Sequence, residues 1–144
     1  MAAEDDVRQA SDRFYGALNS MLKGDAGPMV ETDVWSHGSD VSTMHPIGDR
    51  EVGWEAVKAP WQQVASMASG GQVAIKEPKI TVVGDLAYET GTESGSGTLA
   101  GQTVPFQHRV TNIYRRESGV WRIVHHHTDK SPAMEELVSR LQAN

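Results

Sequence analysis

Three consecutive histidines, His125, His126 and His127, are the most conspicuous chemically active residues of the sequence. Imidazole titrates near neutral pH, so it can act as a general acid or base or bind a metal. His125 and His127 lie two apart in a predicted strand, so their side chains should share one face with Trp121 and Ile123. If that face is concave, both imidazoles line a pocket; the alternative is that neighbouring groups satisfy them within a structural network.

Further polar residues can complete such a site. Arg109 and Thr111 lie on the strand that should pair with the histidine run, and His45 is expected across the mouth of the pocket. We predict His45, His127 and Arg109 as catalytic groups, and Thr111 and His125 as ligand contacts. The general base would be His45 or His127, because imidazole accepts protons near neutral pH.

Five aromatic residues are candidates for the pocket wall: Trp35, Trp54, Trp61, Tyr88 and Phe106. Of these, we predict Trp35, Trp61 and Tyr88 to contact the ligand. An aromatic wall favours a mostly apolar small molecule held by a few polar contacts. The alternative is that most of these rings belong to the core, with Trp61 the one that reaches the cavity.

The histidine run, which continues into Thr128 and Asp129, also invites a metal hypothesis, because imidazole and carboxylate suit zinc or non-haem iron. No His-x-x-x-His or comparable spacing accompanies it. The sequence therefore predicts neither a metal nor another cofactor.

Length and composition limit the class of protein. A chain of 144 residues suits one domain, and a net charge of −6 with a pI near 5.4 argues against nucleic-acid partners and anionic membranes. Cysteine is absent, which is compatible with a reducing compartment. The acidic start lacks the basic and apolar regions of a signal peptide, so we predict a cytoplasmic protein.

Apolar spacing of three and four predicts helices at both ends of the chain and in its middle. The first runs from Val7 to Leu22. The second follows Val52, and Pro60 should kink it or divide it into two helices near Ala59, ending at Gly70 and Gly71. The last covers Met134 to Leu141, with Ser131 as its N-cap and Pro132 at its first position. A further helical turn is predicted at Pro28 to Glu31.

The remaining segments alternate as strands do, with turn residues between them. Long strands are predicted at 73–83, 86–92, 104–116 and 120–128. The segments 34–36 and 41–45 are predicted to form two short strands or one bent strand. Gly84 and Asp85 should form a hairpin turn, and Pro78 indicates an edge strand or a bulge. Helices followed by an antiparallel meander predict the α+β class, with helices covering one concave face.

Two stretches carry a family resemblance. His45-Pro46-Ile47-Gly48, followed by Gly53-Trp54-Glu55 and Trp61, resembles the strand-to-helix passage of SnoaL-like and ketosteroid-isomerase-like proteins of the NTF2-like superfamily. Tyr114-Arg115-Arg116 and the run Trp121 to His127 resemble the last hairpin of this group and of the association domain of calcium/calmodulin-dependent kinase. The resemblance implies a single NTF2-like domain over residues 1–144, a cone whose N-terminal helices pack on a curved, mostly antiparallel sheet. It also implies a homodimer through the outer sheet face.

The sequence departs from ketosteroid isomerases at the catalytic positions. Phe14 stands where those enzymes have an oxyanion-donating tyrosine, and His45 stands where they have the general-base aspartate. No acid in the strand from Phe106 to Ile113 matches their second oxyanion donor. Two functions therefore stay open: a cofactor-independent isomerase, lyase or hydrolase acting on a small, mostly apolar molecule, or a non-catalytic binding or assembly module.

Overall fold

The computed structural model describes residues 2–143, which form one six-stranded sheet and four helices. The helices are α1 (Ala3–Leu22), α2 (Gly27–Val30), α3 (Trp54–Met67) and α4 (Pro132–Ala143). The strands are β1 (Ser42–Met44), β2 (Arg50–Val52), β3 (Ala68–Val83), β4 (Leu86–Leu99), β5 (Gln102–Glu117) and β6 (Val120–Thr128). Their order in the sheet is β2-β1-β6-β5-β4-β3, and only the β1–β6 pair is parallel. The predicted α+β class is confirmed.

Helix α1 forms because its apolar residues recur on one face and acidic residues occupy its first turn, where the helix dipole favours negative charge. Its buried face includes Phe14, Leu18 and Leu22 and packs chiefly against β3. The predicted helix from Val7 to Leu22 is confirmed. Because α1 lies across the sheet, its side chains reach the same interior as those of β4 and β5.

Helix α3 continues through Pro60 as one element, so the alternative of two helices meeting near Ala59 is wrong. It ends at Met67, before the two glycines that were expected to stop it. Gly70 and Gly71 lie inside β3 instead, with φ of 152° and 140°. A Cβ at Gly71 would lie 2.6 Å from the Gly97 Cα, so the close approach of β3 and β4 requires glycine there.

The last four strands form an antiparallel meander joined by short turns at 84–85, 100–101 and 118–119, and the first of these is the predicted Gly84-Asp85 hairpin turn. Strand β3 is the edge of the sheet, and its pairing with β4 shifts between Lys76 and Lys79, next to Pro78. Both predictions for that proline are therefore confirmed. The predicted strand at 34–36 is reduced to a single bridge between Trp35 and Ile123.

A β-bulge interrupts β6 at Val124. Tyr114 pairs with Ile123, but its neighbour Ile113 pairs with His125, so Val124 has no partner of its own. An extra residue moves every later side chain to the opposite face. As a result, His126 lies on the same face as Ile123, whereas His125 lies on the other.

Helix α4 begins as its sequence predicts. The Met134 amide donates to Ser131 Oγ at 3.3 Å, which is the expected N-cap hydrogen bond, and Pro132 occupies the first helical position. The Ser131 amide donates to the Pro46 carbonyl oxygen at 2.8 Å and ties the start of α4 to the segment after β1. Within residues 2–143, no helix is both long and apolar enough to span a membrane.

Candidate functional site

A cavity of about 650 Å³ lies between α1, α3 and α4 and the face of the sheet that they cover. Most of its wall is apolar, formed by residues such as Leu18, Met21, Leu22, Ile47, Val64, Met67, Val73, Leu99, Phe106, Met134, Val138 and Leu141. A few polar side chains interrupt this wall: His45, Glu51, Gln63, Glu93, His108, His126, Glu135, Ser139 and Gln142. This size and composition are typical of a small-molecule site.

Two carboxylates of β4 are directed into the interior. Glu89 and Glu93 are 1% and 3% exposed, and both lie on the inward face of the strand because they are four residues apart. A buried carboxylate is tolerated only when donors surround it. The two glutamates therefore organise the polar groups around them.

Glu93 is held by two donors. Tyr15 Oη donates to its Oε2 at 2.8 Å, and His108 Nε2 donates to its Oε1 at 2.9 Å. Burial acts to raise the pKa of Glu93, but His126, His108 and the Tyr15 hydroxyl together lower it below its usual range. Because Tyr15 and His108 each donate to a different oxygen of Glu93, this side chain is held in the cavity wall as a hydrogen-bond-accepting carboxylate. Burial and this anion raise the pKa of Tyr15, so its hydroxyl keeps its proton.

Asn112 fixes the proton on the neighbouring imidazole. Its amide nitrogen donates to Tyr15 Oη and to Glu89 Oε1, each at 3.0 Å. This orientation leaves Asn112 Oδ1 as an acceptor, 2.7 Å from His126 Nδ1. His126 must therefore carry a proton on Nδ1. In the neutral ring, Nε2 then holds a lone pair.

His126 and His45 are both held in the neutral form. Burial lowers the pKa of His126 to about 4, despite the opposing effect of Glu93. Burial and the proximity of His126 lower the pKa of His45 to about 3. The two ring centroids are 6.0 Å apart, so protonating one disfavours protonating the other. His126 Nε2 lies 3.9 Å from Glu93 Oε2, close enough for the carboxylate to stabilise an imidazolium that forms during a reaction.

Glu89 completes the network below the cavity. It accepts hydrogen bonds from Ser11 Oγ at 2.7 Å, from Tyr114 Oη at 2.7 Å and from the Asn112 amide. Burial and Glu89 raise the pKa of Tyr114 well above its usual value, so that hydroxyl remains a donor. Glu89 therefore anchors Asn112, and Asn112 in turn sets the His126 tautomer.

Two nitrogen atoms of the cavity wall lack partners. Trp61 Nε1 and His45 Nε2 are buried and make no hydrogen bond with any residue that the structure describes. Their rings meet edge to face at 4.7 Å. His45 Nε2 is 3.8 Å from Glu51 Oε1, beyond hydrogen-bond distance. Because unpaired buried polar groups are costly, these atoms mark where a ligand would be held.

Of the residues predicted from the sequence, His45 and Trp61 line the cavity. Trp35 is fully buried in the core, where its Nε1 donates to Met29 Sδ at 3.3 Å. Tyr88 is 47% exposed on the opposite face of the sheet. The structure therefore brings two of these four side chains together.

The other four predicted residues also lie away from the cavity. Arg109, Thr111 and His127 line a separate, more open depression on the outer face of the sheet, with a volume of about 580 Å³. Arg109 is engaged in an ion pair with Asp129, Nε to Oδ2 at 2.9 Å. His125 lies on the outer face too, and its Nδ1 is 2.7 Å from Ser42 Oγ. The expectation that His125 and His127 share a face with Trp121 and Ile123 is wrong, because the bulge at Val124 reverses the alternation.

Sequence reasoning missed most of the interior network: Ser11, Tyr15, Glu89, Glu93, His108, Asn112, Tyr114 and His126. A signal was present in the sequence, since Val104, Phe106, Val110 and Tyr114 alternate in β5 and place His108 and Asn112 on the same face, which the structure buries. Phe14 is the residue that the resemblance to ketosteroid isomerases matches with their tyrosine. Phe14 is buried against Trp61 and His126, whereas the next residue, Tyr15, brings a hydroxyl to Glu93.

The outer face of the sheet carries a row of aligned side chains. Tyr88 pairs with Ile113, Ile113 with His125, His125 with Ser42, and Ser42 with Val52. Val52 is 54% exposed, and Val83 and Leu86, at the hairpin beside Tyr88, are exposed as well. We call this row with its neighbouring hairpin the outer apolar face.

Among residues 2–143, no group of three or more histidine, aspartate or glutamate side chains is arranged to hold a metal ion.

Comparison with known proteins gives a family match. A family model described as a SnoaL-like domain matches residues 7–134. No functionally curated protein shows significant sequence similarity to the chain.

Three solved structures illustrate the similarity. A protein from Streptomyces avermitilis, provisionally named a dehydratase of the NTF2-like family, is 24% identical, with a TM-score of 0.76 over 91% of this chain and 97% of its own. A protein from Thiobacillus denitrificans, provisionally named a calcium/calmodulin-dependent protein kinase type II association domain, is 28% identical, with a TM-score of 0.69 over 86% and 94%. A ketosteroid isomerase-like protein from Erwinia carotovora atroseptica is 20% identical, with a TM-score of 0.71 over 90% and 97%.

Proposed function

Because the chain belongs to the SnoaL-like domain family and has the NTF2-like fold, we propose that it binds a small, mostly apolar molecule in the cavity and catalyses proton transfer on it. The reaction class is that of a cofactor-independent isomerase or lyase. We also propose that residues 1–144 act as a single domain, and a cytoplasmic location stays a prediction.

The observation that carries this proposal is the fixed tautomer of His126. Its Nδ1–H donates to Asn112 Oδ1, so Nε2 presents a lone pair in a wall lined by apolar residues. A general base must be unprotonated before it acts, and a pKa of about 4 keeps His126 neutral at pH 7. Glu93 then stabilises the imidazolium that forms after proton abstraction.

The catalytic role predicted for His45 is retained, since His45 faces His126 in the same cavity. The roles predicted for His127 and Arg109 are not used in this proposal, because both residues lie in the depression on the outer face. Between two imidazoles, one able to accept a proton and one unpartnered, a substrate could lose a proton at one atom and gain it at another.

The test does not require the natural substrate to be known. Small ketones, esters and lactones are incubated with the protein in D₂O, and exchange of the hydrogens next to the carbonyl is followed by proton NMR. His126→Gln should lower the exchange rate by about 100-fold or more, the usual contribution of a general base. His37→Gln, which removes an exposed imidazole stacked on Trp54, is the matched control and should leave the rate unchanged.

Two outcomes would contradict the proposal. One is the absence of catalysed exchange for every member of the panel. The other is a rate that survives His126→Gln but is abolished by His127→Gln, which would favour the assignment made from the strand alternation alone.

A second candidate function is a binding or assembly module, and the outer apolar face favours it. Tyr88 and Val52 are about half exposed at the two ends of the aligned row, with the hydrogen-bonded pair His125 and Ser42 between Ile113 and Val52. Val83 and Leu86 add exposed apolar surface beside Tyr88, and neighbouring exposed apolar side chains indicate a contact surface more strongly than single ones do. The similar protein from Thiobacillus denitrificans bears the name of an association domain. We therefore propose a homodimer through this face, which is compatible with catalysis in the cavity.

Sedimentation at micromolar concentration tests the assembly proposal. The chain should be dimeric, and Ile113→Glu, between Tyr88 and His125 in the row, should give a folded monomer. A matched substitution outside the row, Gln107→Glu, should stay dimeric. A monomeric parent chain would refute the proposal without affecting the assignment of His126.

A further inference from the structure

The polar groups of the cavity specify the charge of its ligand. We propose that the cavity selects an uncharged ligand with a carbonyl or hydroxyl oxygen, bound by Trp61 Nε1–H and His45 Nε2–H, and that it rejects carboxylates and phosphates. The inference rests on the proposed small-molecule function and names its substrate class.

Trp61 supplies the first donor. Its side chain lines the cavity and is only 3% exposed, yet its Nε1 has no partner among the described residues. Indole nitrogen can donate a hydrogen bond but cannot accept one. The group that satisfies it must therefore be an acceptor, and an ammonium group cannot fill that role.

His45 supplies the second donor. Its Nε2 is also buried without a partner, and its ring touches that of Trp61. The Glu51 carboxylate, 3.8 Å from Nε2, favours a proton on that nitrogen over one on Nδ1. The neutral ring of His45 can therefore donate beside Trp61, while His126 keeps its accepting nitrogen.

The charges of the wall exclude anions. The charged side chains that line the cavity are all acidic: Glu51, Glu93 and Glu135. Within residues 2–143, no lysine or arginine lines it. Lys130 lies near the rim, where its exposed Nζ donates to the Gly48 carbonyl oxygen. Glu93 is buried, Glu51 is partly buried and Glu135 is exposed. An entering carboxylate would therefore meet like charges from the rim to the interior of the cavity, without a lysine or arginine in the lining to pair with.

Three probes of nearly the same shape separate the effect of the hydrogen bonds from the effect of the ligand's charge: the ketone 2-acetylnaphthalene, the carboxylate 2-naphthoate and the hydrocarbon 2-ethylnaphthalene. Binding is measured at pH 7 by titration in ¹H–¹⁵N NMR spectra. The chain has four tryptophans, and Trp61→Phe identifies the Trp61 indole resonance. The ketone should bind at least tenfold more tightly than the carboxylate and move the Trp61 indole proton downfield. The hydrocarbon has no acceptor atom, so it should not shift the Trp61 indole proton downfield.

Variants of the protein test the Trp61 hydrogen bond and the acidic charge of the wall separately. Trp61→Phe removes apolar contacts with both ligands but a hydrogen bond with the ketone alone, so it should weaken ketone binding about fivefold more than it weakens hydrocarbon binding, the usual effect of one neutral hydrogen bond. Trp54→Phe, which removes an indole packed against Trp35 and His37, is the matched control and should change neither. Glu135→Gln should raise the affinity for 2-naphthoate without altering that for the ketone.

The inference is overturned if 2-naphthoate binds as tightly as the ketone, if the Trp61 indole does not respond at saturation, or if none of the probes binds. Because these measurements need no turnover, they separate the two proposals. Selective binding of the ketone without hydrogen exchange on any substrate would reject the catalytic role alone. Catalysed exchange on a carboxylate substrate would reject the neutral-ligand inference alone.

Discussion

His45→Gln should make the folded chain less sensitive to acid. The imidazole of His45 has a pKa of about 3 in the folded chain, because of burial first and the neighbouring His126 second, against an ordinary value of 6.5. The unfolded chain therefore binds the extra proton between these two values, and stability falls as the pH drops below about 6.5. The stabilising contribution is fully present above that pH.

The magnitude follows from the two pKa values. At pH 5 the unfolded imidazole is almost fully protonated and the folded one is not, so this group lowers the free energy of unfolding by about 2 kcal/mol relative to pH 7. The result hardly depends on the folded pKa as long as it lies well below 5. At pH 5 the carboxylates are still mostly ionised in both states, so this window reports on histidine.

Urea unfolding followed by tryptophan fluorescence measures the effect at a fixed protein concentration. Between pH 7 and pH 5, His45→Gln should lose about 2 kcal/mol less stability than the parent chain. Trp61→Phe, which alters the same wall without removing a titratable group, should lose as much as the parent. An equal loss in His45→Gln and the parent would refute the placement of a neutral imidazole in the cavity.

Three further predictions concern the elements that hold the site. Asn112→Leu removes the acceptor of His126 Nδ1–H, so ¹⁵N NMR should show a mixture of His126 tautomers in place of the single Nδ1–H form. The catalysed exchange of substrate hydrogens in D₂O should also slow. A single, unchanged tautomer would count against Asn112 as the positioning residue. Ser11→Ala leaves Glu89 without one of its donors and should cost about 1–3 kcal/mol by urea unfolding, whereas a neutral effect would mean that Glu89 finds another partner. Gly95→Ala would place a Cβ 1.9 Å from the Gln72 carbonyl oxygen and should cost about 3 kcal/mol or more in thermal unfolding, whereas Gly16→Ala, on the exposed side of α1 with no atom within 4 Å, should stabilise by about 1 kcal/mol.

The order of helices and strands could be predicted because each depends on local periodicity and turn chemistry. The spacing of the α1 residues, the Gly84-Asp85 turn and the Ser131 cap all act over a few residues, and the structure confirms them. The end of α3 was placed too late because Gly70 and Gly71 were interpreted as helix terminators, whereas both lie in β3 and Gly71 permits close contact between β3 and β4.

The site could be predicted only in part because it depends on which face of a strand each residue occupies. His45 and Trp61 were found from motif and residue type. His126 was passed over because strict alternation through Val124 assigns its neighbours to the interior, and no local signal marks the bulge. Glu89 and Glu93 were missed because acidic residues in a glycine-rich strand usually face solvent, and their burial depends on donors from α1 and β5.

The bulge at Val124 also makes the cavity tolerant of changes in strand length. Loss of Val124 would restore regular alternation and leave His126 opposite Asn112. Loss of His125 with the bulge retained would bring His127 to that place. In most strands a one-residue deletion replaces the functional group at a site with its neighbour. Here three identical residues follow one another, so a single-codon deletion alters the strand but still delivers an imidazole to the cavity.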